Sequence, residues 1–314
     1  MDDRVYAAFL ELLGRAIYSG TYEPGHPTAD SHGMSGEMAQ LVRDLNIPYV
    51  RYPGGNFVSA YNREDGILPR KDRPVRLDLA WHTLDDKCHK RSRHDVTISF
   101  DEWNVWFHFN TADRAILDGN EGWPTAPCLL EDIYNFEDVL QVGCILNTFI
   151  RRSDVVKLAC IAQLVNVIAP IMTDPKGAAW RQTIYYPYYF ASRFGRGTAL
   201  KLHVDSPGYD ADVADNVPYL DITGVRDEEH GTLTFFAVNR HATETLEVDI
   251  SLEGFTAGQV IDHQVMTHAM LEAVNTADNM TNVAPAKGTG ATVTDGKLSL
   301  KLAPYSYQMI RVKA

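Results

Sequence analysis

Positive charge is scarce in this chain. Its 314 residues carry 29 Lys and Arg against 41 Asp and Glu, a formal net charge of −12. That acidic excess argues against a nucleic-acid binder or a protein held on anionic membranes. Long apolar runs are missing too, since none reaches the roughly 18 residues that read as a membrane span. The start, Met1-Asp2-Asp3-Arg4, is acidic and has no apolar secretion-signal segment. Cysteine is sparse. Cys88, Cys128, Cys144 and Cys160 show no CxxC spacing, which reads as reduced thiols in a cytoplasmic protein rather than a disulfide framework. Walker and GxGxxG loops, a G-x-S-x-G elbow and a convincing Cys/His nucleophile pair are all lacking. Cys88, His89 and His94 beside Asp85 and Asp86 match no zinc spacing, so no metal and no cofactor is expected. Lys87, Lys90, Arg91 and Arg93 read as a solvated helix end or loop.

What is present is enough to build a core. Apolar residues make up 45% of the chain, and its length suits about two domains. The first two hundred residues mix helix and strand patterns. Residues 35–46 fit an amphipathic helix, with Met38, Leu41, Val42 and Leu45 on one side and Ser35 as N-cap. Ile47 to Val50 reads as a short strand ending in Arg51-Tyr52-Pro53-Gly54-Gly55-Asn56. Val96 to Phe100 reads as another, running into Asp101-Glu102-Trp103-Asn104-Val105-Trp106. A long helix is expected over 129–151, a buried strand over 157–166 and a helix over 183–194. This order predicts α/β architecture with parallel strands. After Gly197 only strand patterns and turns remain. Thr232–Asn239, Glu244–Ile250 and Gln259–Met266 read as strands, and Asp295-Gly296 is a type I′ hairpin signal between 291–294 and 297–302. The expected division is 1–197 and 198–314, the second part an antiparallel β-sandwich.

Chemistry is expected where strands end, because parallel α/β folds assemble active sites at strand C-termini. Asp101 and Glu102 stand there among aromatic rings. Strand alternation sends them to opposite faces, with Glu102 on the side of Ile98 and Phe100. A carboxylate beside Trp suits a sugar, whose CH-rich faces lie on rings while its hydroxyls take hydrogen bonds. The plain alternative is a helix cap or a salt bridge. Arg51 and Asn56 flank a Pro-Gly-Gly turn that lets backbone approach a ligand, although such a turn is often only a turn. Glu11, near the first strand, reads equally as a surface residue. Gln163, an amide in an apolar strand, needs a hydrogen-bond partner, structural or ligand.

These segments together resemble one family, the intracellular α-L-arabinofuranosidases of glycoside hydrolase family 51. The resemblance rests on Leu13-Gly14-Arg15, Tyr22-Glu23-Pro24-Gly25-His26-Pro27, the stretch Arg51 to Ser59, and Arg76-Leu77-Asp78-Leu79-Ala80-Trp81. It rests also on Phe100 to Trp106, Ala162 to Pro170 and Gln182 to Pro187. It implies a (β/α)8 barrel followed by a β-sandwich and a retaining double displacement on arabinofuranosyl-containing oligosaccharides. Glu102 falls at the nucleophile position, ending the seventh barrel strand. Glu11, Arg51, Asn56 and Gln163 fall where the family holds the sugar and that carboxylate, and Trp81 and Trp106 fall on pocket walls. Family members often assemble into oligomers, so a homo-oligomer is among the expectations.

The chain departs from the family in its middle. Only twenty positions separate Trp81 from Asp101, where the family places barrel strands three to six and a general acid/base in an Asn-Glu pair. The only Asn-Glu pair here, Asn120-Glu121, follows strand seven, in the wrong context. Residues 82–95 look like a seam, and relative to the family the chain also begins late. The expectation is an incomplete barrel of strands one, two, seven and eight. Some 200 residues do the work of a barrel that usually takes about 250. Activity is then impaired, and the alternative is an inactive homologue with at most weak carbohydrate binding.

Overall fold

The computed structural model describes residues 1–52, 55, 97–106, 111–119, 126–255 and 258–314. The first sheet among them has four strands, β1 (Ala7–Phe9), β2 (Val50–Arg51), β3 (Ile98–Trp103) and β4 (Val156–Ala162), in the order β2-β1-β4-β3. Every pairing in it is parallel. The last of these strands in the chain thus lies beside the first, the arrangement of a barrel's closing point, with strands seven, eight, one and two side by side. Helix α1 (Gly36–Asp44) lies between β1 and β2 in the chain. Helices α2 (Thr111–Leu117) and α3 (Phe136–Arg151) lie between β3 and β4, and α4 (Tyr185–Phe194) follows a short hairpin, β5 (Ile171–Thr173) and β6 (Ala179–Arg181).

Local chemistry sets the element ends, and three differ from expectation. Ser35 does stand at the N-cap of α1, but its side chain makes no cap hydrogen bond. The strand expected over 47–50 is Val50–Arg51, the residues in register with Ala8 and Phe9 of β1. Helix α3 begins at Phe136 rather than 129. Asn135 Oδ1 accepts from Asp138 N at 3.1 Å while Asp138 Oδ2 accepts from Asn135 N at 2.8 Å. This reciprocal capping box fixes the helix start. The apolar residues upstream serve another purpose: Leu129 and Leu130 pack with Ala16 and Val167 in a separate cluster.

The remaining strands form the antiparallel part. A six-stranded sheet joins β7 (Thr198–Leu200), β10 (Leu220–Asp227), β11 (Thr232–Asn239), β17 (Ser306–Lys313), β13 (Gln259–Thr267) and β14 (Ala286–Lys287) in that spatial order. A three-stranded sheet joins β12 (Leu246–Ser251), β16 (Lys297–Leu302) and β15 (Thr292–Thr294). Strands β8 (Gly208–Ala211) and β9 (Ala214–Pro218) make a separate hairpin. Asp295 and Gly296 have φ of 49° and 70°, the left-handed pair that a type I′ turn needs. Leu298, Leu300 and Leu302 turn inward onto Leu233, Phe235, Ile310 and Val312 to form the sandwich core.

Strand β11 is buried at all eight positions, so it has no solvent face. Leu233, Phe235 and Ala237 enter the sandwich core. The alternate residues Phe236 and Val238, with Tyr307 and Met309 of β17, enter a second core shared with α3 and the parallel sheet. Asn147 of α3 donates to Asp221 Oδ1 at 2.8 Å and to the Phe236 carbonyl at 3.3 Å. Gly143 is the point of closest approach, since a Cβ there would stand 2.8 Å from Tyr307 Cδ2. Gly143→Ala adds helix propensity of about 1 kcal/mol but overpacks a full core, which costs about 1–3 kcal/mol. Tyr307 is 1% exposed and cannot swing out. The overpacking therefore wins, and a lowered urea midpoint for this variant is expected.

Candidate active site

The site is built on the concave side of the parallel sheet, at the C-terminal ends of its strands. One irregularity of β3 decides its chemistry. Phe100 pairs with Ala159 and Trp103 with Ile161, so three steps on β3 meet two on β4. This β-bulge puts Phe100 and Trp103 on the same, helix-facing side, where both pack against Phe149 at centroid distances of 5.2 and 5.1 Å. The inserted residue breaks the alternation. Glu102 reaches Arg51 above the Phe9 ring while Phe100 packs on Phe149, so Glu102 does not share a face with Phe100 as alternation predicts. Both carboxylates act on the thiol of Cys160, which lies with Ala7, Phe9 and Ala162 on the concave side. Burial is the main cause that pushes this thiol up to about 11, so it stays protonated and inert. Cys128, Cys144 and Cys160 are all free.

Glu102 Oε1 accepts from Arg51 Nη1 at 2.7 Å. Arg51 is on the opposite edge strand, β2. In a flat sheet, three intervals of about 4.8 Å would separate these strands, so the curl of the sheet is what brings the pair together. The guanidinium lies over the Phe9 ring, 4.6 Å from its centroid, and Arg51 Nη1 also reaches the Asp101 carbonyl at 3.4 Å. Gly55 completes the contact. A Cβ on it would stand 3.0 Å from Glu102 Oε1 and 3.4 Å from Glu11 Oε2, so a larger residue would press on the Glu102 carboxylate.

Glu11, Trp106 and Gln163 join Glu102 around one cleft of about 390 Å³, with Phe9 and Leu130 among its walls. Glu11 is 5% exposed, whereas Trp106 is 48% exposed and offers its ring to solvent. Gln163 lies just past the end of β4 rather than inside the strand. It is 2% exposed, and its Oε1 accepts from Glu11 N at 2.9 Å. The structural hydrogen bond expected of it is therefore present, and the residue lines the cleft as well. Asn56 and Trp81 lie outside the described residues, as do the Cys88–His94 group and the basic run beside it. Among the described residues no cluster of His, Cys, Asp and Glu could hold a metal ion.

Asn104 belongs to the site and was not singled out from sequence. Its Nδ2 donates to the carbonyls of Ala162 at 2.9 Å and Ile168 at 2.6 Å, tying β3 to the turn that carries Gln163. Its position beside Asp-Glu-Trp was the available signal.

Staves of a parallel barrel, a carboxylate at the end of one of them and a sandwich packed behind define a (β/α)8-type barrel joined to an antiparallel β domain, with four barrel strands among the described residues. Known proteins narrow the class. The family description "Alpha-L-arabinofuranosidase C-terminal domain" matches residues 101–306. An intracellular exo-alpha-(1->5)-L-arabinofuranosidase of Halalkalibacterium halodurans is 32% identical over 486 residues, taking in 99% of this chain and 96% of that protein. A similarly named enzyme of Bacillus subtilis is 31% identical, with 100% and 96% covered. The structure of a family 51 alpha-L-arabinofuranosidase from Bifidobacterium longum superposes with a TM-score of 0.89 at 24% identity, covering 100% of this chain and 96% of that one. The chain belongs to the α-L-arabinofuranosidases of glycoside hydrolase family 51. An alignment of 486 positions against 314 residues leaves more than a third of the relative without a counterpart here, consistent with an internal deletion.

The Arg51–Glu102 pair has side chains 29% and 47% exposed. Such pairs contribute at most about 1 kcal/mol to stability, so Arg51→Ala is expected to unfold at nearly the wild-type temperature. Asn104→Ala strips two carbonyls of their donor at a cost of about 1–3 kcal/mol. A clear drop in melting temperature is expected for this variant alone of the two, read by circular dichroism.

Proposed function

We propose that this chain acts on terminal α-L-arabinofuranosyl groups with Glu102 as the nucleophile. The observation that carries the reading is the Glu102 carboxylate fixed by Arg51 in a cleft shared with Glu11, Gln163 and Trp106. The guanidinium aims the carboxylate, while the Trp106 ring and the buried polar groups suit the two sides of a sugar. The names of the relatives, intracellular exo-arabinofuranosidases, support the same substrate class and work inside the cell.

Retaining hydrolysis uses two carboxyl groups about 5–5.5 Å apart, one to attack and one to protonate the leaving oxygen. In the first step a Glu102 oxygen bonds to the anomeric carbon as the bond to the leaving oxygen breaks. In the second, water adds at that carbon, loses a proton and frees Glu102. The sequence lacks the family's acid/base segment, and general acid–base help is worth typically 10²–10⁴-fold. Substrates whose leaving group departs without a proton are therefore turned over, and alkyl-linked arabinosides of oligosaccharides react slower by about that factor.

Incubation with p-nitrophenyl α-L-arabinofuranoside checks this. Nitrophenol release that azide accelerates is expected, because azide attacks the glycosyl-enzyme without a general base. A pentosyl adduct on Glu102 is expected by mass spectrometry, absent in Glu102→Gln. No release and no adduct would leave the other reading, an inactive homologue that at most binds sugar weakly. Resequencing across residues 82–95 separates a deletion carried by the protein from a misjoined gene.

A further inference from the structure

A second cleft, of about 630 Å³, opens between the outer face of α3 and the loops of the β-sandwich. Its walls combine rings with hydrogen-bonding groups. Tyr209 and Tyr219 stand with centroids 4.9 Å apart, tilted by 31°, and the His241 ring continues the row 4.3 Å beyond. Tyr305 faces them with Gln141 and Glu137 of α3 nearby. We infer that this cleft is a second carbohydrate-binding site, which takes a short neutral oligosaccharide along the tyrosine row.

Three observations carry this. The Tyr209 and Tyr219 rings are half-buried here and belong to none of the hydrophobic clusters of the described residues, and a ring face with a polar tip suits the CH faces and hydroxyls of a sugar. Arg240 lines the cleft with a buried Nε–H that has no hydrogen-bond partner among the described residues, although its Nη2 donates to the Pro218 carbonyl. An unpaired buried donor is costly unless a ligand takes it up. Tyr305 adopts φ of 42°, a left-handed conformation rare for a bulky side chain, pinned by its N–H to the His241 carbonyl at 3.1 Å. Strain of this kind gathers at ligand clamps.

The chemistry of the walls also selects the ligand. His241 Nδ1 accepts from the N–H groups of Thr243 and Glu244 at 3.2 and 2.9 Å, which fixes the ring and leaves its Nε2 edge for a hydroxyl. The Glu137 carboxylate at the cleft and the net charge of −12 disfavour a polyanion. Cys144 in the wall is pushed up to about 12 by burial, so the cleft offers no reactive thiolate. Leu130 lines the Glu102 cleft and Glu137, one short loop later, lines this one.

Calorimetric titration of Glu102→Gln with a linear α-1,5-arabinotetraose tests the assignment, since that background cannot turn the probe over. Adding Tyr219→Ala is expected to remove one binding event or weaken it about tenfold, as losing a ring contact of about 1.4 kcal/mol would. Gln141→Ala, a helix-compatible change, is expected to weaken the same event and guards against a tyrosine variant that fails to fold. With Glu102 intact, Tyr219→Ala is expected to leave nitrophenol release unchanged. Loss of that release in wild type bears on Glu102 alone. Unaltered titrations in both variants overturn the second site. So does a change in mass by light scattering for Tyr219→Ala, which would make the cleft a contact between copies of the chain.

Discussion

The four described strands of the parallel sheet are stabilised chiefly by what their convex side packs against. That partner is α3 and, through α3, the β-sandwich. Strands β11 and β17 bury both of their faces, one set of residues in the sandwich core and the alternate set against α3. A sheet with one wet face could not do this. The two folding units are therefore not independent: Phe236, Val238, Tyr307 and Met309 share one hydrophobic cluster with Ala8, Ala159 and Ile161 of the barrel strands. Burial at roughly 25 cal/mol per Å² makes such a shared core worth more than any polar contact of the cleft.

On this support, the cleft is a product of two local irregularities. The β3 bulge turns Glu102 inward where regular alternation would have turned it toward the helices, and Asn104 anchors the strand just beyond the bulge. Gly55 then admits Glu102 and Glu11 to the same space. The Arg51–Glu102 pair acts through geometry rather than through stabilising energy, as the modest worth of a half-exposed ion pair makes plain.

Much of this was legible in the sequence because it is encoded locally. Strand β11 runs over Thr232–Asn239 as its β-branched and aromatic composition predicts, and Asp295-Gly296 names its turn type. The Asp101 to Trp106 and Arg51 to Gly55 segments announced the cleft through residue chemistry. The unread parts depend on partners distant in the chain. A bulge is defined only by pairing with β4, so no periodicity within 98–103 could disclose it. The apolar spacing upstream of Phe136 resembled helix because Leu129 and Leu130 are buried for another reason, against Ala16 and Val167. The Asn135/Asp138 box was the better signal.

The position of Arg51 and Glu102 on the two outermost strands has a mechanical side. In a closed barrel a ring of hydrogen bonds fixes the radius, and residues on different staves keep their spacing. An open sheet has a soft bending mode, and the distance between its edge strands is the coordinate that this mode changes most. The ion pair spans that coordinate. Among the described strands the ion pair is a clasp across the cleft, whose width follows the curvature of those strands, and a ligand bridging β2 and β3 would itself help to set it.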